Sequence, residues 1–158
     1  MLSIKEAYQE KNRSFFVSKP TSFSKNLCVV ASLHLYQGQI LLLLRHPDKA
    51  DPLTWAFPGG KVEGQESLLQ AIQREVKEET GVEMEPSSFA FLQTFYILQA
   101  DLHVEFHLFS VIVSSLPSIE LNKQEHIAYG WFDLKELKTK EGLIPGLNWC
   151  LQNVLPSI

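Results

Sequence analysis

The sequence predicts an α/β protein, with a mixed β-sheet sandwiched between α-helices in an α/β/α arrangement. Apolar, strand-length runs lie on both sides of one amphipathic helical stretch, and a second helical pattern closes the chain. The chain has 158 residues, 45% of them hydrophobic, which is enough for one buried core and too little for two domains of ordinary size.

Residues 1–24 are mixed and polar, and Ser18-Lys19-Pro20-Thr21-Ser22 reads as a turn. They are expected as an N-terminal appendage ahead of a main domain at 25–158, with Phe15, Phe16 and Val17 forming an edge strand or a partner contact. Apolar runs at 27–35 and 39–44 flank Tyr36-Gln37-Gly38, the pattern of a hairpin with glycine in the turn. The run from Ile40 to Leu44 is apolar on both faces and therefore expected at the centre of the sheet. His46 to Pro52 is too rich in Pro and Asp for a regular element. A helix is expected over 67–79, closed by Gly81 in the left-handed conformation. Residues 89–98 and 103–114 read as strands joined around Gln99-Ala100-Asp101. In the second, Val104, Phe106 and Leu108 alternate against Glu105, His107 and Phe109. A short strand is expected at 127–132, Asp133 as the N-cap of a turn of helix at 134–138, and an amphipathic helix at 145–155.

The net charge of −4 gives no broad basic field for a nucleic-acid backbone, so long DNA or RNA is not an expected partner. The first ten residues carry charges where a signal peptide needs an apolar run, and no segment approaches a membrane span; a cytoplasmic protein is expected. Cys28 and Cys150 lie far apart in apolar surroundings, which favours two buried thiols over a disulfide.

The densest chemistry lies between Gly60 and Val82. Gly60 is followed after five residues by Glu66, then after seven by Arg74-Glu75-Val76, and then by Glu78-Glu79 and Gly81-Val82. At about 100° per residue, Glu75, Glu78 and Glu79 share roughly one quarter of the helix circumference. Leu68, Leu69, Ile72 and Val76 form an adjacent apolar stripe. Carboxylates at i,i+4 repel, and anions near a helix C-terminus oppose its dipole, so two local rules are broken together. An acidic run is ordinarily a solvated helix face, but here the loop glycine and the arginine accompany it. In every one of these positions the chain resembles the Nudix hydrolases, of the MutT-like kind.

That resemblance implies the Nudix fold and a Mg2+-dependent hydrolase, with Mn2+ able to substitute, acting on a pyrophosphate linkage in a nucleoside diphosphate joined to another group. It implies Glu75 and Glu79 as principal metal ligands, Glu78 as a further ligand or the water-activating base, and the Gly59 carbonyl as a backbone ligand. Glu66 would join the acidic site or orient its members, and Arg74 would hold a glutamate by charged hydrogen bonds. Gly59 and Gly60 would let the backbone turn tightly.

Outside the signature, Arg45 is a candidate phosphate contact and Glu125 a candidate extra metal ligand or catalytic base. Phe57 and Trp131 are candidates for stacking on a base, against plain core packing. His103 and His107 would lie roughly 13 Å apart on a strand, too far to share a zinc ion. Markers of the ADP-ribose, dinucleoside-polyphosphate, NADH and coenzyme A subfamilies are missing. A nucleoside triphosphate or similar small nucleotide is the expected substrate, with ADP-ribose or another sugar nucleotide as the alternative. A non-catalytic nucleotide-binding or protein-interaction module on the same fold is the alternative of another class. Open strand edges leave a homodimer open.

Overall fold

The computed structural model describes residues 6–158. Its framework is a nine-stranded mixed sheet. The strands are β1 (Ala7–Glu10), β2 (Arg13–Phe16), β3 (Leu27–Tyr36), β4 (Gln39–Arg45), β5 (Trp55–Ala56), β6 (Gly59–Lys61), β7 (Ala90–Gln99), β8 (Leu102–Ile112) and β9 (His126–Asp133). The helices are α1 (Leu68–Thr80), α2 (Leu134–Leu137) and α3 (Leu147–Val154). Hydrogen-bonded neighbours run β1-β2-β7-β8-β3-β4-β5, with β6 on β3 and β9 on β4. Only β3 and β8 run parallel among the described pairs.

Strand alternation sends successive side chains to opposite faces, and the two faces carry different helices. Val30, Phe109 and Val111 pack with Ala71, Ile72 and Val76 of α1. Ala31, Leu33 and Leu108 pack with Trp149, Cys150, Leu151 and Val154 of α3. The α/β/α sandwich follows directly. Ile40 to Leu43 are all buried, as a run apolar on both faces requires. Cys28 and Cys150 are free thiols, Cys150 buried and Cys28 partly so. Among the described residues no helix is long and apolar enough to cross a membrane.

The β3–β4 hairpin turns on two residues, Gln37 at φ 47° and Gly38 at φ 79°. Two successive positive φ values match the twist of the flanking strands, and Tyr36 therefore pairs with Gln39. The strands stay paired only at Leu35/Ile40 and Tyr36/Gln39. Beyond that point β3 takes β6 as its neighbour and β4 takes β5 at Leu43 and Leu44, while β9 pairs with β4 along its full length from Gln39 to Arg45. The sheet opens where the two strands part.

The N-terminal residues enter the same sheet. β2 lies between β1 and β7, so β1 and not the Phe15–Val17 stretch forms the edge. Phe15 is 2% exposed, packed against Tyr8 and Trp149. A run as short as Phe15-Phe16-Val17 does not specify on which side of a sheet it will find partners. Two smaller expectations also shift. Asp133 occupies the N-cap position of α2 without a side-chain capping bond. The last helix starts at Leu147, because Gly146 at φ 86° is outside helical geometry.

Candidate active site

Helix α1 is fixed at both ends by its own sequence. The Ser67 hydroxyl accepts from the Gln70 N–H at 3.1 Å while the Ser67 N–H donates to Gln70 Oε1 at 2.8 Å, a reciprocal cap. At the other end Gly81, at φ 74°, donates its N–H to the Lys77 carbonyl. These caps set the helix phase that turns Ile72 and Val76 into the core and presents the glutamates beside them.

Arg74 organises those glutamates. Its Nε and Nη2 donate to Glu66 at 3.0 and 2.6 Å, and its Nη1 donates to Glu75 at 2.9 Å and Glu78 at 3.2 Å. Nη2 also donates to the Lys61 carbonyl at 3.0 Å. Both Glu66 oxygens are committed, Oε1 also accepting from the Glu63 N–H at 2.7 Å. The Arg74 guanidinium, bonded to both Glu66 oxygens, holds that carboxyl down to about 2. Glu75 is nearly buried, and burial pushes its carboxyl above the ordinary range, against the pull of Arg74. Glu78 is the most open of the set, its side chain 52% exposed.

Glu79 is the least accommodated carboxylate. It is 1% exposed. Its Oε1 accepts from the Gly59 N–H at 2.9 Å, and its Oε2 has no hydrogen-bond partner. Burial, ahead of the repulsion from Glu75 and Glu125, pushes its carboxyl well above the ordinary range. Across from Oε2, at 3.2 Å, stands Nδ1 of His126, likewise buried and without a hydrogen bond. Burial and the nearby cations Arg45 and Lys49 push the His126 imidazole down to about 4. Glu125 completes the group: donor atoms of Glu79, Glu125 and His126 all lie within 4.8 Å of one another. Buried acceptors left unpaired are costly. A divalent cation would satisfy them, so the carboxylate-rich donor set fits such an ion.

Gly59 and Gly60 earn their place by close approach. Both lie in the extended strand β6, paired with Ala31 and Val30, and neither has a positive φ, so they form no tight turn. A Cβ on Gly60 would lie 2.5 Å from the Glu75 carboxyl, and one on Gly59 would collide with the Val30 carbonyl. The missing side chains let β6 lie against both β3 and the acidic end of α1.

A cavity of about 350 Å³ opens beside β6, where β3 and β4 part. Gly59, Gly60, Lys61 and Arg45 line its end nearest the carboxylates, and Phe57, Phe106 and Ile97 are among its apolar walls. Arg45 spends its Nε on the Ala50 carbonyl at 2.6 Å. Trp131 is not among the lining residues. It faces Tyr36, whereas the next residue, Phe132, stacks edge-on against Trp55 at 4.9 Å. Alternation on β9 puts the two aromatics on opposite faces.

Sequence reasoning missed two features. His126 had no signal beyond its place next to Glu125. Arg13, Asp51 and Gln99 also line the cavity and are joined, Arg13 donating to both Asp51 oxygens at 2.8 Å and to Gln99 at 2.9 Å. They are 38 and 86 residues apart from Arg13 in the chain, and no spacing links them.

Comparison with known proteins bears on this site. The NUDIX domain family matches residues 26–150. A Bacillus subtilis protein named as a candidate 8-oxo-dGTP diphosphatase, YtkD, is 32% identical over 136 residues, covering 85% of this chain and 74% of that protein. The 8-oxo-dGDP phosphatase NUDT18 of Homo sapiens is 36% identical over 70 residues, 44% of this chain, and the chain spans only 22% of its length. The CTP pyrophosphohydrolase of Escherichia coli is 44% identical over 59 residues, covering 37% of this chain and 44% of that one. Among solved structures, the MutT protein of Methanosarcina mazei superposes with a TM-score of 0.65 at 30% identity, over 78% of this chain and 88% of that one.

Proposed function

From the premise that this chain belongs to the Nudix family, we propose that it is a divalent-metal-dependent pyrophosphohydrolase of small nucleotides, with Mg2+ or Mn2+ as the ion and nucleoside di- or triphosphates as the substrates. The observation that carries this reading is the adjacency of two unlike surfaces. An Arg74-organised carboxylate cluster with an unpaired, buried Glu79 oxygen meets an apolar cavity of about 350 Å³. The first suits a cation and the phosphates it gathers; the second suits a base and sugar. Relatives named for 8-oxo-dGDP, 8-oxo-dGTP and CTP support the substrate class.

In this reading Glu75, Glu79 and Glu125 would hold the ion, with Glu78 or the Gly59 carbonyl as a further ligand and the other positions open to water and phosphate oxygens. When bound, the ion neutralises phosphate oxygens and acidifies a water. Arg74 holds Glu75 in place, so its carboxylate needs little reorganisation on binding. The proton leaving the attacking water passes to Glu78, the most exposed of these carboxylates. Arg45 and Lys61, at the cavity end nearest Gly59, meet the phosphate chain, and Phe57 contributes a wall for the base. Water oxygen bonds to phosphorus and the bridging P–O bond breaks. The products are a nucleoside monophosphate and phosphate or pyrophosphate.

The test is product analysis with Mg2+ against nucleoside di- and triphosphates, ADP-ribose, diadenosine polyphosphates and NADH, with Glu79→Gln alongside. Turnover of the di- or triphosphates that is lost in the variant is expected. Turnover confined to ADP-ribose would replace the substrate class. Nucleotide binding with metal but no turnover of any substrate would overturn the enzymatic reading.

A further inference from the structure

The metal site assigned above is built from oxygen donors. We propose that His126 adds a nitrogen donor, its imidazole Nδ1 binding the same divalent ion as Glu79 and Glu125, and that this makes the site prefer Mn2+ to Mg2+. The inference rests on the metal-dependent reading and deepens it.

Three observations converge. First, His126 Nδ1 and Glu79 Oε2 are both buried and both lack a hydrogen bond, although they stand 3.2 Å apart. The distance permits a hydrogen bond, so it is the direction that fails. Second, that separation suits two neighbouring ligands of one ion. Donors about 2.1 Å from a six-coordinate cation, at right angles, lie about 3.0 Å from each other. Each donor then aims at the ion, well off the line joining the pair, which is consistent with the missing hydrogen bond. Third, the placement is built into the fold. His126 opens β9 opposite Arg45, at the irregularity after Leu44, and its N–H is tied to the Asn122 carbonyl at 3.0 Å. The neighbouring Asn122 N–H reaches the Glu79 carbonyl at 3.3 Å, so the loop carrying Glu125 and His126 is attached to the end of α1.

The consequence for selectivity follows from donor chemistry. Mg2+ is hard and holds oxygen ligands and water; imidazole nitrogen suits the transition metals better. A nitrogen donor in an otherwise carboxylate site therefore favours Mn2+.

The experiment is electron spin-echo spectroscopy of the Mn2+-loaded protein, with Mn2+ and Mg2+ affinities by calorimetry for the wild type, His126→Gln and His126→Asn. The amide variants retain a polar side chain near Glu79 and remove the imidazole. Expected are a nitrogen hyperfine coupling of a bound imidazole in the wild type, its loss in both variants, and Mn2+ affinity weaker by at least about tenfold with Mg2+ affinity changed less than about threefold. Absence of the coupling in the wild type, a measurement that needs no variant, would overturn the proposal. So would its survival in a folded variant, or equal weakening of both ions. Nucleotide hydrolysis without the nitrogen coupling would remove only the His126 assignment; the coupling without hydrolysis of any nucleotide would remove the enzymatic reading and keep the ligand.

Discussion

Replacing Glu79 with Gln should stabilise the metal-free protein while abolishing its response to metal. Glu79 Oε1 accepts the Gly59 N–H, a bond that the introduced amide carbonyl can keep. Its Oε2, buried and unpaired, gives way to a neutral amide NH2, so the cost of burying a charge beside Glu75 and Glu125 is removed. Relieving that burial is worth about 1–3 kcal/mol. In a domain of this size that corresponds to a rise of about 2–12 °C in Tm. The pH dependence has a definite sign. The folded carboxyl of Glu79 titrates above its ordinary value of 4.5, so the wild type holds its full stability below that value and loses it as pH rises towards the folded pKa. The advantage of the variant should therefore be small near pH 4.5 and grow towards pH 8. Metal reverses the order: at a concentration 100 times Kd, a bound ion adds about 2.7 kcal/mol to the wild type and little to the variant. The assay is thermal unfolding by circular dichroism, in chelator and in excess Mn2+ or Mg2+, across that pH range. A lower Tm for the variant in chelator at pH 7.5, or an equal metal-induced shift in both proteins, would refute the reasoning.

Other outcomes follow from the same geometry. Gly60→Ala places a Cβ 2.5 Å from the Glu75 carboxyl; the displaced carboxylate should lower kcat/KM by about a hundredfold, measured beside a calorimetric metal titration that should weaken in parallel. Arg74→Lys removes the two-pronged hold on Glu66 and leaves one ammonium to serve three carboxylates; kcat/KM should fall about tenfold or more with Tm also lower, and wild-type kinetics would show that the hub is dispensable. Phe15→Ala opens a void against Trp149 and Phe95 and should cost about 3–5 kcal/mol in urea unfolding. A change under about 0.5 kcal/mol would mean that the N-terminal hairpin is a loose attachment.

Local physics made much of this protein legible from its sequence. Helix α1 carries its own caps in Ser67, Gln70 and Gly81, its apolar stripe gives its buried face, and the spacing of Arg74, Glu75, Glu78 and Glu79 places those four around one stretch of it. Turn chemistry gave the β3–β4 hairpin, and alternation gave β8. Each of these depends on residues within a few positions of one another. Tertiary structure alone decided what depends on distant partners. It put β2 inside the sheet with Phe15 in the core, gave Gly59 and Gly60 the task of close approach, turned Trp131 away from the cavity, and joined Arg13 to Asp51 and Gln99. It also set His126 against Glu79, 47 residues away in sequence, where both lost water without gaining a hydrogen bond. Periodicity reports which face of an element is apolar; it carries no information about which element will cover that face, and burial of the carboxylates, with the shifts it causes, is settled only by that covering.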